Sequence, residues 1–226
     1  MKEQKYTFEE FCEIIRKLKG PDGCPWDRVQ THESLIPCMV EEAYEVVEGI
    51  HDLTATGDAA NLCEELGDVL MQVVLHSAIA EEENLFTLSD VTDGISRKMI
   101  HRHPHVFQED GKKRDWEDLK REEKGNQTPQ EELKSIPSAF PALIRAQKVQ
   151  KKMERLYGLG QDPDKSLESM EHIMRLLKTG GEELDKETLL GEAFWQLCNY
   201  SRLQGINSEQ ALVKNIEIMI KTSMQD

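Results

Sequence analysis

The sequence is short of the features that mark several classes of protein. No apolar run reaches the length of about 18 residues that a bilayer-spanning helix needs, so we predict no membrane partner. The N-terminal segment MKEQKYTFEEF lacks the apolar core of a signal peptide, which predicts a cytoplasmic location. The five cysteines are odd in number and show no CxxC spacing, so they predict reduced thiols and exclude a disulfide or zinc framework.

Positive charge is scarce as well. The 226 residues include 28 Lys and Arg but 43 Asp and Glu, which gives a formal net charge of -15. A chain this acidic repels polyanions, so we predict no non-specific binding to nucleic acid or to anionic membranes. A protein of this charge that binds phosphate needs a metal ion or a local basic patch.

The pattern that is present is helical. Apolar residues recur at helical spacing in most of the chain, which predicts an all-α fold. Thr7 and Glu10 have the spacing of a capping box, and Gly20-Pro21 ends the helix that they begin. We predict that Thr31 and Asp58 cap the next two helices. The predicted helices after the first cover residues 32–55, 59–83, 89–103, 115–124, 138–157, 164–178, 183–204 and 208–223.

Two pairs of acids lie on neighbouring predicted helices. Glu42 with Glu45, and Glu65 with Asp68, are three residues apart, a spacing at which like charges destabilise a bare helix by about 0.2–0.5 kcal/mol. The short connection makes the two helices antiparallel neighbours, so the pairs can face each other. An all-oxygen ligand set suits Mg²⁺, or Mn²⁺, better than zinc. We therefore predict a magnesium site that holds a triphosphate.

Two alternatives compete with a magnesium site. Each acid by itself fits a solvated helix face. The Glu48-x-x-His51 spacing is that of a di-iron ligand pair, but a di-iron bundle needs a second such pair on another helix. Gly67 lies in mid-helix between Glu65 and Asp68, where glycine costs about 1 kcal/mol relative to alanine. A close helix approach or room for a ligand would explain this glycine.

Basic and aromatic residues that could contact a nucleotide lie elsewhere in the chain. Lys98 and Arg102 are four residues apart and share one face of a predicted helix. The same position also suits a solvated helix end, which the helix dipole favours for a cation. Trp26 lies in a loop rich in Gly and Pro, where it either covers the core or borders the nucleotide pocket.

The ordered combination of these segments resembles the MazG-type, all-α nucleoside triphosphate pyrophosphohydrolases. EExxE alone is a weak signal in a helical protein, and the combination is specific. The resemblance rests on EEAYE at 41–45 and EELGD at 64–68, and it extends through GCPWD at 23–27, QT at 30–31, RHPHVF at 102–107 and PALIRAQKVQ at 141–150.

The resemblance implies roles for individual residues. It implies that Mg²⁺ is ligated by Glu42, Glu45, Glu65 and Asp68. It implies that the phosphates are held by Lys98 and Arg102. A W-x-x-x-K segment that can close over the nucleotide is matched by Trp116 and Lys120, with core packing as the alternative for the tryptophan.

The implied reaction is NTP + H₂O → NMP + pyrophosphate, with a metal-activated water attacking the α-phosphorus. Glu42 or Glu45 orients or deprotonates the water. The charge of the pyrophosphate leaving group is stabilised by Lys98 and Arg102. The competing function is that of a catalytically decayed helical protein that binds nucleotide, or another chain, without turning it over.

The chain is predicted to contain a diverged repeat. We predict a catalytic domain at 1–110, a connector with a short helix at 111–140 and a degenerate second unit at 141–226. In the second unit, Thr188-Leu189 and Glu192 stand where the first has Glu64-Glu65 and Asp68, and EHIMR at 171–175 is the remnant of EExxE. The tandem units resemble four-helix bundles, and the apolar seam predicts that a homodimer completes them.

Overall fold

The protein is described by a computed structural model that covers residues 5–107, 114, 119, 122, 123, 125, 127–179 and 185–223. Over these residues the chain forms eleven helices and no strand, which confirms the predicted all-α class. The contacts divide the chain into two compact units, Met1–Leu119 and Lys120–Asp226. The predicted domain boundaries at residues 110 and 140 stay a prediction.

The first unit contains six described helices. They are α1 (Phe8–Lys19), α2 (Pro25–Arg28), α3 (Ile36–Thr56), α4 (Ala60–Glu82), α5 (Leu88–Arg102) and α6 (Pro104–Phe107). The second unit contains five described helices, which are α7 (Pro129–Lys134), α8 (Ala142–Tyr157), α9 (Pro163–Thr179), α10 (Lys186–Leu203) and α11 (Ser208–Ser223). The short helices α2, α6 and α7 lie in segments that the sequence pattern assigned to loops. In the described part of the chain, no helix combines the length and the apolar character that crossing a bilayer requires.

The helix starts follow local hydrogen-bonding chemistry. Thr7 and Glu10 form the predicted capping box at the start of α1. The prediction that Thr31 caps the second long helix is wrong, because α3 begins only at Ile36. Pro37 has no N–H and is tolerated only in the first helical turn, so it fixes this later start. The backbone N–H of Ser34 donates instead to Thr31 Oγ1 at 3.1 Å, which makes a separate turn.

The start of α4 also differs by one residue from the prediction. Ala59, not Asp58, is the N-cap residue. The carboxylate of Asp58 still satisfies an N-terminal amide, because the N–H of Ala60 donates to Asp58 Oδ1 at 2.9 Å. Gly57 ends α3 at a φ of 79°, in the left-handed region that glycine adopts without steric cost. The three-residue connection then turns the chain back on itself.

Helices α3 and α4 approach each other closely at Gly49. A Cβ atom at this position would lie 2.8 Å from the Cα of Leu62, so only glycine permits the observed approach. Around Gly67, by contrast, a Cβ would meet no atom within 4 Å. The close approach proposed for Gly67 is therefore wrong for this chain, and open space beside the acids remains.

The core of the first unit lies away from the acids. It consists of buried side chains from α1, the second half of α4 and the turn before α3, namely Cys12, Ile15, Leu35, Val74, Leu75 and Ile79. The first half of α4 and the outer face of α3 leave large apolar side chains exposed. Among these are Val40, Tyr44, Val47, Leu66 and Leu70, which are 39–59% exposed. The acid-bearing half of the helix pair thus presents an apolar surface to its surroundings.

The second unit also contains a packed helix pair. Helices α9 and α10 pack along their length, and α8 packs against α10. Asn199, which is 5% exposed, donates from Nδ2 to Ser166 Oγ at 2.9 Å and so joins α10 to α9. Arg202 forms an ion pair with Glu154 of α8. These polar contacts fix the register of the three helices.

Candidate active site

Three carboxylates of the first unit converge. Glu42 and Glu45 on α3 and Glu65 on α4 each offer one oxygen, and these oxygens all lie within 4.8 Å of one another. No other group of three or more His, Cys, Asp or Glu side chains converges in this way within the described residues. The helix hairpin creates the group, because the antiparallel packing centred on Gly49 brings the middle of α3 opposite the first turns of α4.

The acids raise one another's pKa values. Burial raises the pKa of Glu42, and so do the charge of Asp68, a hydrogen bond with Glu45 and the charges of Glu45 and Glu65. Burial also raises the pKa of Glu65, as do the charges of Glu45, Asp68 and Glu64. Asp68 is therefore close enough to act on both acids, although it lies outside the group of three. Like charges held this close favour either a proton or a bound cation between them.

The donor chemistry of this group fits a hard divalent cation. Carboxylate oxygens are the ligands that Mg²⁺ and Mn²⁺ take, together with water and phosphate oxygens. Glu42, Glu65 and Asp68 are half-buried and Glu45 is exposed, so one side of the group is open to a substrate. The open space beside Gly67 lies in the same part of α4. We call the four acids Glu42, Glu45, Glu65 and Asp68 the acidic cluster.

Glu48 and His51, whose spacing is that of a di-iron ligand pair, do not belong to the group of converging carboxylates. Glu48 Oε2 lies 3.9 Å from His51 Nδ1, and both side chains are more than half exposed. The two residues form a surface contact within α3, one turn beyond Glu45.

The predicted phosphate-binding residues lie on a different helix. Lys98 is exposed and Arg102 is half-buried, both in the second half of α5. This helix begins with a capping box between Thr87 and Asp90, and it packs against α4 and α6. The role of this basic pair in binding phosphates stays a prediction.

The predicted nucleotide-contacting aromatic residues have different outcomes. Trp26 lies in α2 and is 56% exposed, and its role stays a prediction. Its backbone is held in place, because Gln30 Nε2 donates to the carbonyl oxygen of Trp26 at 2.9 Å. Trp116 and Lys120 lie outside the described residues, and their roles stay predictions.

A pair of histidines joins segments that the sequence pattern does not connect. His32 and His76 approach each other with 2.8 Å between their Nδ1 atoms, although 44 residues separate them along the chain. Lone histidines carry no periodic signal, so only the fold reveals this contact. Gly49 was likewise not predicted to have a role, because a helical glycine shows its purpose only when the opposite helix is known.

The second unit has a cavity between α9 and α10. Its volume is about 440 Å³, and it is lined by Glu168, Ser169, His172, Ile173, Leu176, Leu189 and Glu192. By the predicted repeat, His172, Leu189 and Glu192 occupy the positions of Glu42, Glu65 and Asp68. A leucine and a histidine thus stand where the first unit has two carboxylates. This replacement leaves the second unit without the oxygen ligand set of the acidic cluster.

Comparison with known proteins adds independent information. Residues 30–107 match the family model described as MazG nucleotide pyrophosphohydrolase domain. The chain is 38% identical over 216 residues to a Thermotoga maritima protein named nucleoside triphosphate pyrophosphohydrolase/pyrophosphatase MazG, and the match covers 95% of this chain and 83% of the relative. It is 35% identical over 215 residues to the Escherichia coli nucleoside triphosphate pyrophosphohydrolase, covering 89% and 80% of the two chains.

The match to a third relative covers a smaller share of that relative's length. The chain is 48% identical over 161 residues to the Bacillus subtilis protein YabN. This match covers 67% of the present chain and 32% of YabN. The segment that matches the family model, residues 30–107, contains all four residues of the acidic cluster, together with Lys98 and Arg102. The sequence, the all-helical fold and these matches agree, and the chain belongs to the MazG family.

Proposed function

We propose that this chain is a Mg²⁺-dependent nucleoside triphosphate pyrophosphohydrolase, which converts NTP and water to NMP and pyrophosphate. The observation that carries the proposal is the convergence of Glu42, Glu45 and Glu65 within 4.8 Å. The names of the relatives in Thermotoga maritima and Escherichia coli support the reaction. Mn²⁺ is the second candidate for the metal, because its ligand preference is similar.

The acidic cluster would hold the cation through Glu42, Glu45, Glu65 and Asp68. When bound, a divalent cation neutralises phosphate oxygens and lowers the pKa of a bound water. Glu42 combines partial burial with a raised pKa, which suits a carboxylate that orients a water and accepts its proton. Glu45 is exposed and hydrogen-bonds with Glu42, so it is the alternative for this role.

The remaining roles fall to the residues that surround the acidic cluster. We infer that Lys98 and Arg102 bind the phosphates, with their charge directed at the pyrophosphate leaving group. This role requires α5 of this or a second chain to lie opposite the acidic cluster when nucleotide is bound. Trp26 would stack on the base, a role that its exposed ring permits. Trp116 and Lys120 are proposed to close over the nucleotide.

Replacement of a cluster acid tests this proposal. Glu42→Gln should lower Mg²⁺-dependent release of pyrophosphate by about 100-fold or more, since even outer-shell partners of a metal typically contribute 10- to 100-fold. The matched control is Glu48→Gln, which neutralises an exposed acid one turn beyond Glu45 on the same helix. Equal activity in both variants would remove the acidic cluster from the mechanism.

A non-catalytic function is the second candidate, and the second unit is the reason to consider it. Its cavity is lined by Leu189 and His172, which by the predicted repeat stand where the first unit has carboxylates. We propose that this unit is a degenerate repeat that serves assembly, while turnover belongs to the first unit. If the purified chain binds NTP but releases no pyrophosphate with either metal, the non-catalytic function applies to the whole chain.

We further propose that the chain acts as a homodimer. The exposed apolar side chains of α3 and α4 flank the acidic cluster, and water would contact them in a single copy. Covering each further 100 Å² of such surface contributes about 2.5 kcal/mol before the costs of association. A second copy of the helix pair would complete a four-helix bundle around the acids.

A further inference from the structure

The paired histidines His32 and His76 connect the segment before α3 to the helix that carries Glu65 and Asp68. The planes of the two rings differ by 1° in orientation, and their centroids are 5.1 Å apart. This separation exceeds the roughly 3.5–4.0 Å at which carbon atoms of stacked faces touch. The rings therefore meet edge to edge, through a hydrogen bond of 2.8 Å between the two Nδ1 atoms. We call this pair the histidine bridge.

His76 belongs to the polar stripe of α4 that includes the acids. Glu65, Asp68, Gln72 and His76 follow one another at intervals of three, four and four residues, so they share one face of the helix. The end of this stripe is rigidly packed, since Leu75 and Ile79 next to His76 are each 3% exposed. The histidine bridge is thus attached to the same rigid element that positions two of the four cluster acids.

His32 belongs to a segment that is bonded to Trp26 in short steps. Thr31 and Ser34 exchange hydrogen bonds around His32, because each backbone N–H donates to the other side chain's oxygen. Ser34 Oγ donates to Gln30 Oε1 at 2.7 Å, and Gln30 Nε2 donates to the carbonyl oxygen of Trp26 at 2.9 Å. The contacts form a continuous path from His76 through His32 to the backbone of Trp26.

The segment that contains Trp26, residues 24–34, is also held by the buried side chain of Lys19. Lys19 Nζ donates to the carbonyl oxygen of Arg28 at 3.0 Å and lies 3.2 Å from the carboxylate of Glu82 on α4. The segment that contains Trp26 is therefore connected to α4 at two points. One is at Glu82, near the end of the helix, through Lys19, and the other is at His76, nearer to the acidic cluster. Only the second point lies on the face that carries the acids.

From this arrangement we infer that His32 and His76 are positioning residues that set Trp26 relative to the acidic cluster. The inference rests on the proposed function, in which Trp26 contacts the base of the nucleotide. His76 lies too far along α4 from Asp68 to touch the reacting phosphate, since eight residues of helix span about 12 Å. Within the described residues, His32 contacts His76 and not the acids. Their effect should therefore fall on substrate affinity and leave the chemical step nearly unchanged.

Kinetics of His76 variants test the inference. His76→Phe keeps a flat ring but cannot hydrogen-bond, and it should raise KM for NTP about five- to tenfold with kcat within about twofold of the original. His76→Asn places a polar atom near the position of Nδ1 and should recover much of the lost affinity. His51→Asn is the matched control, because this exposed histidine of α3 contacts only Glu48 among the described ion pairs. An unchanged KM in a folded His76→Phe variant would overturn the inference.

A double-mutant cycle with Trp26→Ala tests the path itself. If the histidine bridge acts through Trp26, His76→Phe should raise KM little further in the Trp26→Ala background. Independent, additive increases would show that the bridge does not act through this residue, and so would a Trp26→Ala variant with unchanged KM. His32→Phe breaks the same bond from the loop side and covers the case in which His76→Phe does not fold.

Amide hydrogen exchange separates this inference from the proposed function. Loss of the bridge should speed exchange in the segment 24–34 in the absence of any nucleotide, and leave exchange in the core of α4 unchanged. Unchanged exchange in both His32→Phe and His76→Phe would overturn the bridge even if the enzyme is active. Absence of pyrophosphate release from the unaltered chain would instead refute the proposed function, and with it the positioning role.

Discussion

At the scale of single residues, the acidic cluster is a set of like charges that oppose the folded state. The pKa of Glu42 is raised by burial and by the neighbouring carboxylates, which means that the ionised form is held at a cost. In the proposed function, the same close arrangement of carboxylates that destabilises the metal-free protein would favour binding of a cation. Function and stability therefore make opposite demands on these positions.

The first prediction follows from this opposition. Without metal, Glu42→Gln should raise the free energy of unfolding by about 0.2–0.5 kcal/mol, because it removes one member of a like-charge pair. With saturating Mg²⁺ the order should reverse, since the original chain gains binding energy that the variant loses. Thermal unfolding in EDTA and in Mg²⁺ measures both. A variant that is less stable under both conditions would show that the carboxylates do not destabilise the metal-free fold by repulsion.

The second prediction concerns His76. Burial lowers the pKa of His76, and the charge of His32 lowers it further. At a pH between this lowered pKa and the ordinary value of about 6.5, His76 binds more protons in the unfolded chain than in the folded one. The free energy of unfolding should therefore fall as the pH decreases through about 6.5, and the His76→Phe variant should show a shallower fall. Urea denaturation across this pH range would contradict the account if both chains had the same slope.

At the scale of helices, most boundaries could be predicted from the sequence. The capping box of Thr7 and Glu10, the break at Gly20-Pro21 and the periodic apolar residues locate α1, α3 and α4 within a few residues. The exception at the start of α3 has a local cause, since Pro37 outweighs the capping preference of Thr31. The short helices could not be predicted because one turn contains too few residues to show a period.

The candidate site could be predicted only in part, for a physical reason. Spacing along a helix reveals which acids share a face, so the sequence predicts that Glu42 and Glu45 on one helix face Glu65 on the next. Contacts between distant segments leave no such pattern. Gly49 and the histidine bridge depend on which surface lies opposite, and the relation of Lys98 to the acids depends on how helices pack.

A third prediction tests the close approach of α3 and α4. Gly49→Ala should lower the free energy of unfolding by about 1–3 kcal/mol, because the new Cβ would lie 2.8 Å from the Leu62 backbone and the helices must separate. It should also weaken metal binding, since separation spreads the acids. Gly94→Ala in α5 is the control, where a Cβ meets no atom within 4 Å and alanine should stabilise by about 0.5–1 kcal/mol. Equal effects at both sites would mean that the helix pair tolerates separation.

At the scale of the whole molecule, the two units differ in their charge chemistry more than in their architecture. Each contains a long helix pair, and each second helix has a glycine, Gly67 or Gly191, that faces open space. The first unit has converging carboxylates, while the second has a cavity lined by Leu189 and His172, which by the predicted repeat correspond to Glu65 and Glu42. The proposed function, with its single working site in the first unit, would account for this difference.

A fourth prediction concerns assembly. Val40 is 49% exposed on the apolar face of α3, so Val40→Glu should convert a dimer to a monomer by placing a charge in the contact. Val29→Glu is the matched control, because this loop valine is 71% exposed and lies outside that face. Sedimentation velocity distinguishes one chain from two. A single-chain mass for the unaltered protein would contradict the proposed dimer.

The most direct test of the central claim is the fate of water oxygen during turnover. The purified chain is incubated with an NTP and Mg²⁺ in ¹⁸O-labelled water, and the products are analysed by ³¹P NMR and mass spectrometry. We predict that the label enters NMP and that pyrophosphate is unlabelled, because the water attacks the α-phosphorus. The reaction should stop in EDTA and in the Glu42→Gln variant. Label in pyrophosphate or release of orthophosphate as the first product would contradict the account.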